Sequence, residues 1–388
     1  MNDVLTLAAT YLSAGQNQDA INILNYFAGA TPLKSYYLAY AYGQLGQAKA
    51  AVAAAQFGAQ LSPDYVFPNH LFDITVLQYI QQLNPQDSQA PYFLGNLFYD
   101  RRVYAQATKL WAQSVALNPH YAMAHRNLAI AYFNKEDRKQ DALTELETAL
   151  RLDPQNARLV FELDSLYQKL NYPLPQRLAF LEAHADLVNA RDDSYIQLVT
   201  LLNESGRYQE AYAKIMAHTF HPWEGGEGKV SAQYEYALIE MAKQDLNAAK
   251  PDAAITKLTT ALTYPRSLGE GKLPIAHDNI IDYYLGLAYE QLGDTIQASA
   301  YFKQATLGMT APAPMMYYND QPADVIFYQG LAYAHLGQPE KATGRYYQLL
   351  QYGQQHLFDH FQKDYFAVSL PDALLFDTDY QQQNSIYC

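Results

Sequence analysis

Small and large apolar residues recur along the chain in a pattern that repeats about every 34 residues. One copy contains Leu94-Gly95, Phe98, Ala107, Trp111 and Pro119, and the next contains Leu128-Ala129, Tyr132, Ala142, Leu146 and Pro154. Residues four apart, such as Leu94 and Phe98, share one face of a helix. The pattern therefore predicts paired helices that meet where one helix carries a small residue and the other a large one.

Glycines mark the places where the predicted first helices end. They are Gly15, Gly46, Gly206, Gly293 and Gly337. Because glycine adopts positive φ without steric cost, it suits the tight turn between two helices. Pro251 and Pro339 fall near the starts of second helices, where a missing N–H costs little. The turns and the apolar pattern thus predict the same helix boundaries.

The pattern can be followed through nine copies, which begin near residues 1, 32, 88, 122, 157, 192, 235, 279 and 323. Pro173 and Pro175 disturb the turn of the fifth copy, and a lone helix is predicted at about 69–83. Loop insertions are predicted around 219–232, 264–278 and 307–322. We expect residues 1–218 to form one array of about six units plus the lone helix. We expect residues 219–388 to continue the array with GEG-containing loops and a C-terminal tail.

This pattern resembles the tetratricopeptide repeat, a helix–turn–helix unit. The resemblance implies an all-α fold, a tetratricopeptide-type α-solenoid in which helical hairpins form a right-handed superhelix. It also implies a concave groove lined by the first helix of each unit.

A closer resemblance, to one bacterial family, rests on five stretches of sequence. They are Phe67–Asn69, Pro91–Asn96, His221–Gly228, Leu268–Gly271 and Asp364–Asp372. In that family a tetratricopeptide array follows an N-terminal domain of unknown function that looks carbohydrate-active. The resemblance implies that this domain is a partner within the same gene product, and that the present chain is truncated before a final repeat.

Composition narrows the classes of partner. The chain has 388 residues, is 49% hydrophobic and 17% charged, and carries a net charge of −13. That charge argues against nucleic-acid binding and against attachment to an anionic membrane. The single cysteine, Cys388, excludes an internal disulfide framework, and without a signal-like or membrane-spanning segment we expect a cytoplasmic protein. The 35 tyrosines against 16 phenylalanines suit a protein with many half-exposed rings.

Two glycine-rich loops, 226–229 and 269–272, are the most specific candidate site. Neither fits a phosphate-binding loop, because the more distant glycine and the Ser or Thr after the lysine are missing. We expect the loops to meet on one rim of the array and to bind a sugar or a cationic group. The residues brought together there would be His221, Trp223, Glu224, Glu227 and Glu270. The alternative is that the loops cover helix ends and Trp223 fills a gap.

The groove is the second candidate. Its predicted ligand-contacting residues are Tyr92, Asn96, Tyr99, Asp100, Arg126, Asn127 and Asn134, beside Tyr36, Tyr40 and Phe133. Aromatic rings among amides and charges suit an extended peptide or an oligosaccharide. The alternative is that some of these rings belong to the core between repeats. A clamp for a C-terminal carboxylate is disfavoured, because Tyr92 and Glu162 stand where basic residues are needed.

Together these features predict a non-catalytic scaffold, with no cofactor and no metal, that binds a protein or peptide through the groove and the rim loop. The pairs His218/His221 and His356/His360 are too sparse to predict a metal site. The alternatives are the accessory half of a carbohydrate-active protein, binding glycan or completing a catalytic site, and a homo-oligomerisation module.

Overall fold

A computed structural model describes residues 2–223, 225–312, 320–359 and 375–376, and within them every regular element is helical. The stretch Asp364–Asp372 and the residues Met1, Glu224, His360 and Cys388 lie outside the described residues. The helices are α1 (Asn2–Ser13), α2 (Asn17–Tyr26), α3 (Pro32–Gln44), α4 (Ala48–Gly58), α5 (Leu71–Leu83), α6 (Gln89–Asp100), α7 (Tyr104–Leu117), α8 (Ala122–Glu136), α9 (Lys139–Leu152), α10 (Ala157–Lys169), α11 (Leu174–Ala183), α12 (Ala185–Asn189), α13 (Asp192–Glu204), α14 (Tyr208–Ala217), α15 (Lys229–Asn247), α16 (Pro251–Ala261), α17 (Asn279–Gln291), α18 (Thr295–Gln304), α19 (Ala323–His335) and α20 (Pro339–His356), with a 3-10 turn at Arg266–Leu268. The prediction of an all-α, tetratricopeptide-type α-solenoid is confirmed.

Helical hairpins lie where the repeat spacing predicts them. They are α1/α2, α3/α4, α6/α7, α8/α9, α10/α11, α13/α14, α15/α16, α17/α18 and α19/α20. Helix α5 is the predicted lone helix, whereas the short helix α12 was not predicted. The first helices α13, α15, α17 and α19 pack side by side in this order. They form the framework of the candidate sites in unit 2.

Two compact units divide the chain, Met1–Leu159 (unit 1) and Val160–Cys388 (unit 2). The division drawn from the sequence, at residues 218 and 219, rests on loop insertions rather than on compactness and stays a prediction. One start was predicted wrongly: the seventh unit was placed near residue 235, whereas α15 begins at Lys229. The preceding Gly228, at φ 75°, turns the chain into this earlier start.

The small residues of the pattern lie at helix–helix seams, as predicted. A Cβ atom added to Gly95 would lie 2.6 Å from the ring of Trp111, and one added to Gly286 would lie 2.6 Å from the ring of Phe302. At Gly330 the corresponding distance, to Tyr346, is 2.4 Å. The first helix of each of these units therefore rests directly on an aromatic ring of the second.

We expect Gly95→Ala to lower the free energy of unfolding by about 1–3 kcal/mol, because the added methyl group overpacks the contact with the buried Trp111 ring. Chemical denaturation measures this loss. The matched control is Gly344→Ala in α20, where an added Cβ meets no atom within 4 Å. Equal stability of the two variants would contradict the tight contact at Gly95.

Turn residues with positive φ end most of the first helices. The five predicted turn glycines have φ between 69° and 78°. Where glycine is missing, Arg102, Asp137, Asn171 and Ala249 take the same conformation, at φ 51–62°. The turn therefore recurs even in copies whose sequence lacks the glycine signal.

Most tyrosines among the described residues are partly exposed, as expected, but a smaller group lies in the core. Tyr36, predicted in the groove, is fully buried, and its hydroxyl donates to Asp87 Oδ2 at 2.6 Å. Tyr37 is likewise buried and donates to Asp73 Oδ1 at 2.6 Å. Each hydroxyl donates a hydrogen bond to a buried carboxylate, so that neither polar group is left unpaired. Tyr36 is therefore a core residue and not a groove residue.

Candidate functional site

The predicted groove residues of unit 1 form a connected hydrogen-bond network. Asn96 Oδ1 accepts from Trp111 Nε1 at 3.0 Å and from Asn127 Nδ2 at 2.9 Å. Arg126 Nη1 in turn donates to Asn127 Oδ1 at 3.1 Å. These bonds join α6, α7 and α8. The two amides thus hold the hairpins together and have less capacity left for a ligand.

The aromatic residues of this groove are mostly covered. Tyr92 is 9% exposed, and its ring lies 4.7 Å from the ring of Tyr121. Burial raises the pKa of its hydroxyl. The hydrogen bond with Asn96 is the largest of the smaller effects that lower this pKa. Tyr99 is half-buried, with its ring 5.1 Å from that of Trp111. These contacts favour the alternative that the rings are core between repeats.

The polar ends of the groove are more open. Asp100 is exposed and lies 3.4 Å from Arg101 Nε. Asn134 is partly exposed near the end of α8. Unit 1 therefore offers a polar surface beside rings that are buried or half-buried, and the binding role of its residues stays a prediction.

The two glycine-rich loops of unit 2 meet, as expected. The backbone N–H of Phe220 donates to Ser267 O at 2.8 Å. Glu270 Oε2 accepts from Gly228 N at 2.9 Å, and its Oε1 accepts from Ser231 N at 2.8 Å. A Cβ atom at Gly269, where φ is 76°, would lie only 2.7 Å from Phe220 O. Glycine at this position therefore lets the loops approach closely.

Two of the cavities beside these loops include Trp223 in their walls. The first, of about 320 Å³, brings together His221, Trp223, Glu227 and Glu270. The second, of about 410 Å³, extends from Trp223 and Glu227 along the first helices α10, α13 and α15. Glu224, predicted at the same place, lies outside the described residues. Trp223 lines both cavities and is the aromatic residue common to them.

Several of the predicted loop residues also have structural roles. Glu270 caps the N-terminus of α15, where its carboxylate meets two backbone N–H groups and the positive end of the helix dipole. Glu227, which is exposed, accepts from Gly225 N at 2.7 Å. A Cβ atom at Gly226 would lie 2.2 Å from the Trp223 ring, so the ring packs on backbone. The loop thus holds Trp223 in one place and leaves the ring half-buried.

Asp192 is a loop anchor that the sequence analysis missed. Its Oδ1 lies 2.7 Å from His218 Nε2, and its Oδ2 accepts from His221 N at 2.7 Å. Burial opposes ionisation of Asp192, but the hydrogen bonds from His218 and His221 outweigh burial and lower the pKa of the carboxyl group. Asp192 directly follows Arg191 at the start of α13, and nothing in this local sequence indicates that its partner His218 is 26 residues away.

We expect Glu270→Gln to lower the free energy of unfolding by about 1–2 kcal/mol, because the capping charge is lost and an amide has only one acceptor oxygen. Urea denaturation measures the loss. Glu227→Gln, in the exposed part of the same loop, is the control and should change stability by about 0.5 kcal/mol or less. A neutral Glu270→Gln would mean that the carboxylate does not hold α15 in place.

Within the part of the chain that the structure describes, no three His, Cys, Asp or Glu side chains are grouped as a metal would require. His356 Nδ1 lies 2.6 Å from Asp359 Oδ2, and its predicted neighbour His360 is outside the described residues. No helix in the same part of the chain is long and apolar enough to cross a membrane.

A comparison with protein families matches residues 92–157 to a tetratricopeptide repeat model. Residues 92–157 are tetratricopeptide repeat sequence. This match begins in α6 and extends past the end of α9, and so covers the third and fourth predicted units. The tetratricopeptide resemblance is confirmed there, while the family with an N-terminal carbohydrate-active-like domain stays a prediction.

Two of the solved structures that are similar to parts of the chain are YrrB and MamA. YrrB, described as a TPR protein with an unusual peptide-binding site, is 16% identical; the match covers 58% of this chain and 97% of YrrB, at a TM-score of 0.37. MamA from Desulfovibrio magneticus RS-1 is 18% identical; the match covers 49% of this chain and 96% of MamA, at a TM-score of 0.30.

Proposed function

We propose that this chain is a non-catalytic binding scaffold for a protein or peptide, and that unit 2 carries its principal binding site. The observation on which the proposal rests is the cavity of about 410 Å³ along α10, α13 and α15, with Trp223 at its edge. A set of stacked helices holds such a surface in place before the partner arrives, which lowers the entropic cost of binding.

The lining of this cavity suits a polypeptide backbone. Gln197, Thr200 and Gln233 contribute amide and hydroxyl groups, which both donate and accept hydrogen bonds as peptide groups do. Trp223 adds an aromatic surface for a side chain of the partner, and aromatic residues are frequent anchors of such interfaces. The site therefore combines hydrogen-bonding groups for a backbone with an aromatic surface for a side chain.

Gln197 is held in one orientation by a hydrogen bond to α10. Its Nε2 donates to Ser165 Oγ at 2.9 Å, and the Ser165 hydroxyl in turn donates to Phe161 O at 2.9 Å. Because the Ser165 hydroxyl already donates its hydrogen to Phe161 O, its oxygen can only accept from Gln197. The amide nitrogen of Gln197, and not its oxygen, therefore faces Ser165. Gln197 Oε1 is shielded from water and accepts no hydrogen bond within the described residues.

Binding of acetylated and amidated hexapeptide pools, measured by fluorescence polarisation, tests the proposal. We expect Trp223→Ala to weaken binding about tenfold, as loss of an aromatic anchor does, with little change in melting temperature. Tyr65→Ala, which removes a ring that is 93% exposed in unit 1, is the control and should bind like the unaltered chain. Unchanged binding by Trp223→Ala, or unfolding of that variant, would mean that the 221–228 loop has only a structural role.

The expected carbohydrate partner, the N-terminal domain, homo-oligomerisation, bacterial origin and cytoplasmic location stay predictions.

A further inference from the structure

A separate cavity of about 400 Å³ lies in unit 2, between α15, α17, α19 and α20. Its walls include Tyr236, Glu240, Asp324, Phe327 and Tyr328. The sequence analysis assigned no role to these residues. The cavity is not lined by Trp223 or by any other residue of the 221–228 loop.

Aromatic rings form much of the wall. Phe327 and Tyr328 follow each other on α19, and their ring centroids lie 5.7 Å apart at an interplanar angle of 82°. Tyr236, on α15, is 43% exposed, and Phe327 is 44% exposed. Large exposed rings on two first helices that line one cavity mark a surface that a partner can cover. Two nearly perpendicular ring planes offer π faces from different directions.

Two carboxylates give the cavity its charge. Glu240 is already paired, since its Oε1 lies 2.5 Å from Lys243 Nζ. Asp324 Oδ1 is buried and accepts no hydrogen bond within the described residues. Burial raises the pKa of the Asp324 carboxyl, with opposing contributions from backbone N–H groups and from His277. Asp324 is therefore the acidic group of this cavity whose charge is least compensated.

The negative charges also act on the surrounding tyrosines. Burial first, and then the charge of Glu240, raise the pKa of Tyr236. The pKa of Tyr328 is raised by burial and by Tyr284, and further by the charges of Asp324 and Glu240. The negative charge of Glu240 thus reaches both tyrosines, and that of Asp324 reaches Tyr328.

We propose that this cavity binds a basic side chain, lysine or arginine, of a partner polypeptide. A cation placed among these rings gains cation–π attraction and neutralises the poorly solvated carboxylate of Asp324. An apolar side chain would leave that carboxylate buried and unpaired, which is costly. The net charge of −13 attracts a basic partner at longer range. The inference rests on the proposed function, because it identifies a side chain of the same kind of partner.

Positional hexapeptide pools test the inference. Each pool is acetylated and amidated and fixes lysine, arginine, norleucine or citrulline at one position. We expect lysine or arginine pools to bind the full chain about tenfold more tightly than their neutral counterparts at one position. Pools that bind without any preference for a basic residue would overturn the inference and leave the proposed function standing. Absence of binding by every pool would overturn both.

Single substitutions in the cavity test whether the preference for lysine or arginine arises there. Asp324→Asn and Phe327→Leu should each reduce the preference about tenfold or abolish it. Phe57→Leu is the matched control, since Phe57 is 53% exposed on α4 and does not line the cavity; it should keep the full preference. Circular dichroism melting shows which variants are folded, and Phe327→Leu, at an exposed position, carries the test if Asp324→Asn unfolds. A preference that survives in folded Phe327→Leu would place the basic side chain elsewhere.

Discussion

Trp111→Ala is expected to lower the free energy of unfolding by about 3–5 kcal/mol. The ring is 3% exposed and packs against the backbone of Gly95 across the α6/α7 seam. Its Nε1 donates to Tyr92 O at 3.2 Å and to Asn96 Oδ1 at 3.0 Å. The substitution therefore leaves a cavity and also removes the donor that joins α7 to the polar network of α6 and α8.

Chemical denaturation followed by circular dichroism measures this loss. Tyr26→Ala is the control, because the Tyr26 side chain is 94% exposed and its removal should change stability by about 0.5 kcal/mol or less. A loss below about 1 kcal/mol for Trp111→Ala would show that the seam does not depend on this ring.

Asp164→Ala is expected to cost a similar amount, about 3–5 kcal/mol, because it leaves a buried guanidinium without its partner. Arg177 Nε and Nη2 donate to the two oxygens of Asp164 at 3.0 and 2.8 Å. The Asp164 side chain is 0% exposed and that of Arg177 is 9% exposed. Burial raises the pKa of the Asp164 carboxyl, and Arg177 opposes this rise.

The double variant Asp164→Leu/Arg177→Met distinguishes the stability that the ion pair itself contributes from the cost of leaving one buried charge unpaired. Replacing both charges with apolar side chains of similar size should restore most of the stability lost in Asp164→Ala, because no buried charge remains unpaired. Thermal and urea denaturation of the three proteins provide the comparison. A double variant as unstable as Asp164→Ala would mean that this ion pair itself stabilises the α10/α11 hairpin.

The helical hairpins could be predicted because their signal is local and repeated. Leu94, Phe98, Ala107 and Trp111 lie within two helices of one hairpin, so their spacing directly reflects helix geometry. The same holds for turn glycines such as Gly206, whose positive φ is a property of one residue. The fifth hairpin forms despite its irregular sequence, and the Asp164–Arg177 pair lies between its two helices.

The loop site could be predicted only in outline. The two Gly-Glu-Gly sequences indicated that the loops would meet, but not that Glu270 would cap α15 across 42 residues. Asp192 was missed for the same reason, since its partners lie 26 and 29 residues away. In the groove of unit 1, Asn96 and Asn127 had the right residue type for a ligand, yet they bond to each other. Residue type and spacing do not reveal which polar groups satisfy one another in three dimensions.

The proposed binding of a polypeptide along α13 and α15, beside Trp223, can be tested by hydrogen–deuterium exchange of the full chain with and without a saturating hexapeptide from the tightest-binding pool. We expect slower exchange in α13, in α15 and in the 221–228 loop when the peptide is present. Slower exchange confined to unit 1, or unchanged exchange in the 221–228 loop and both helices, would contradict it.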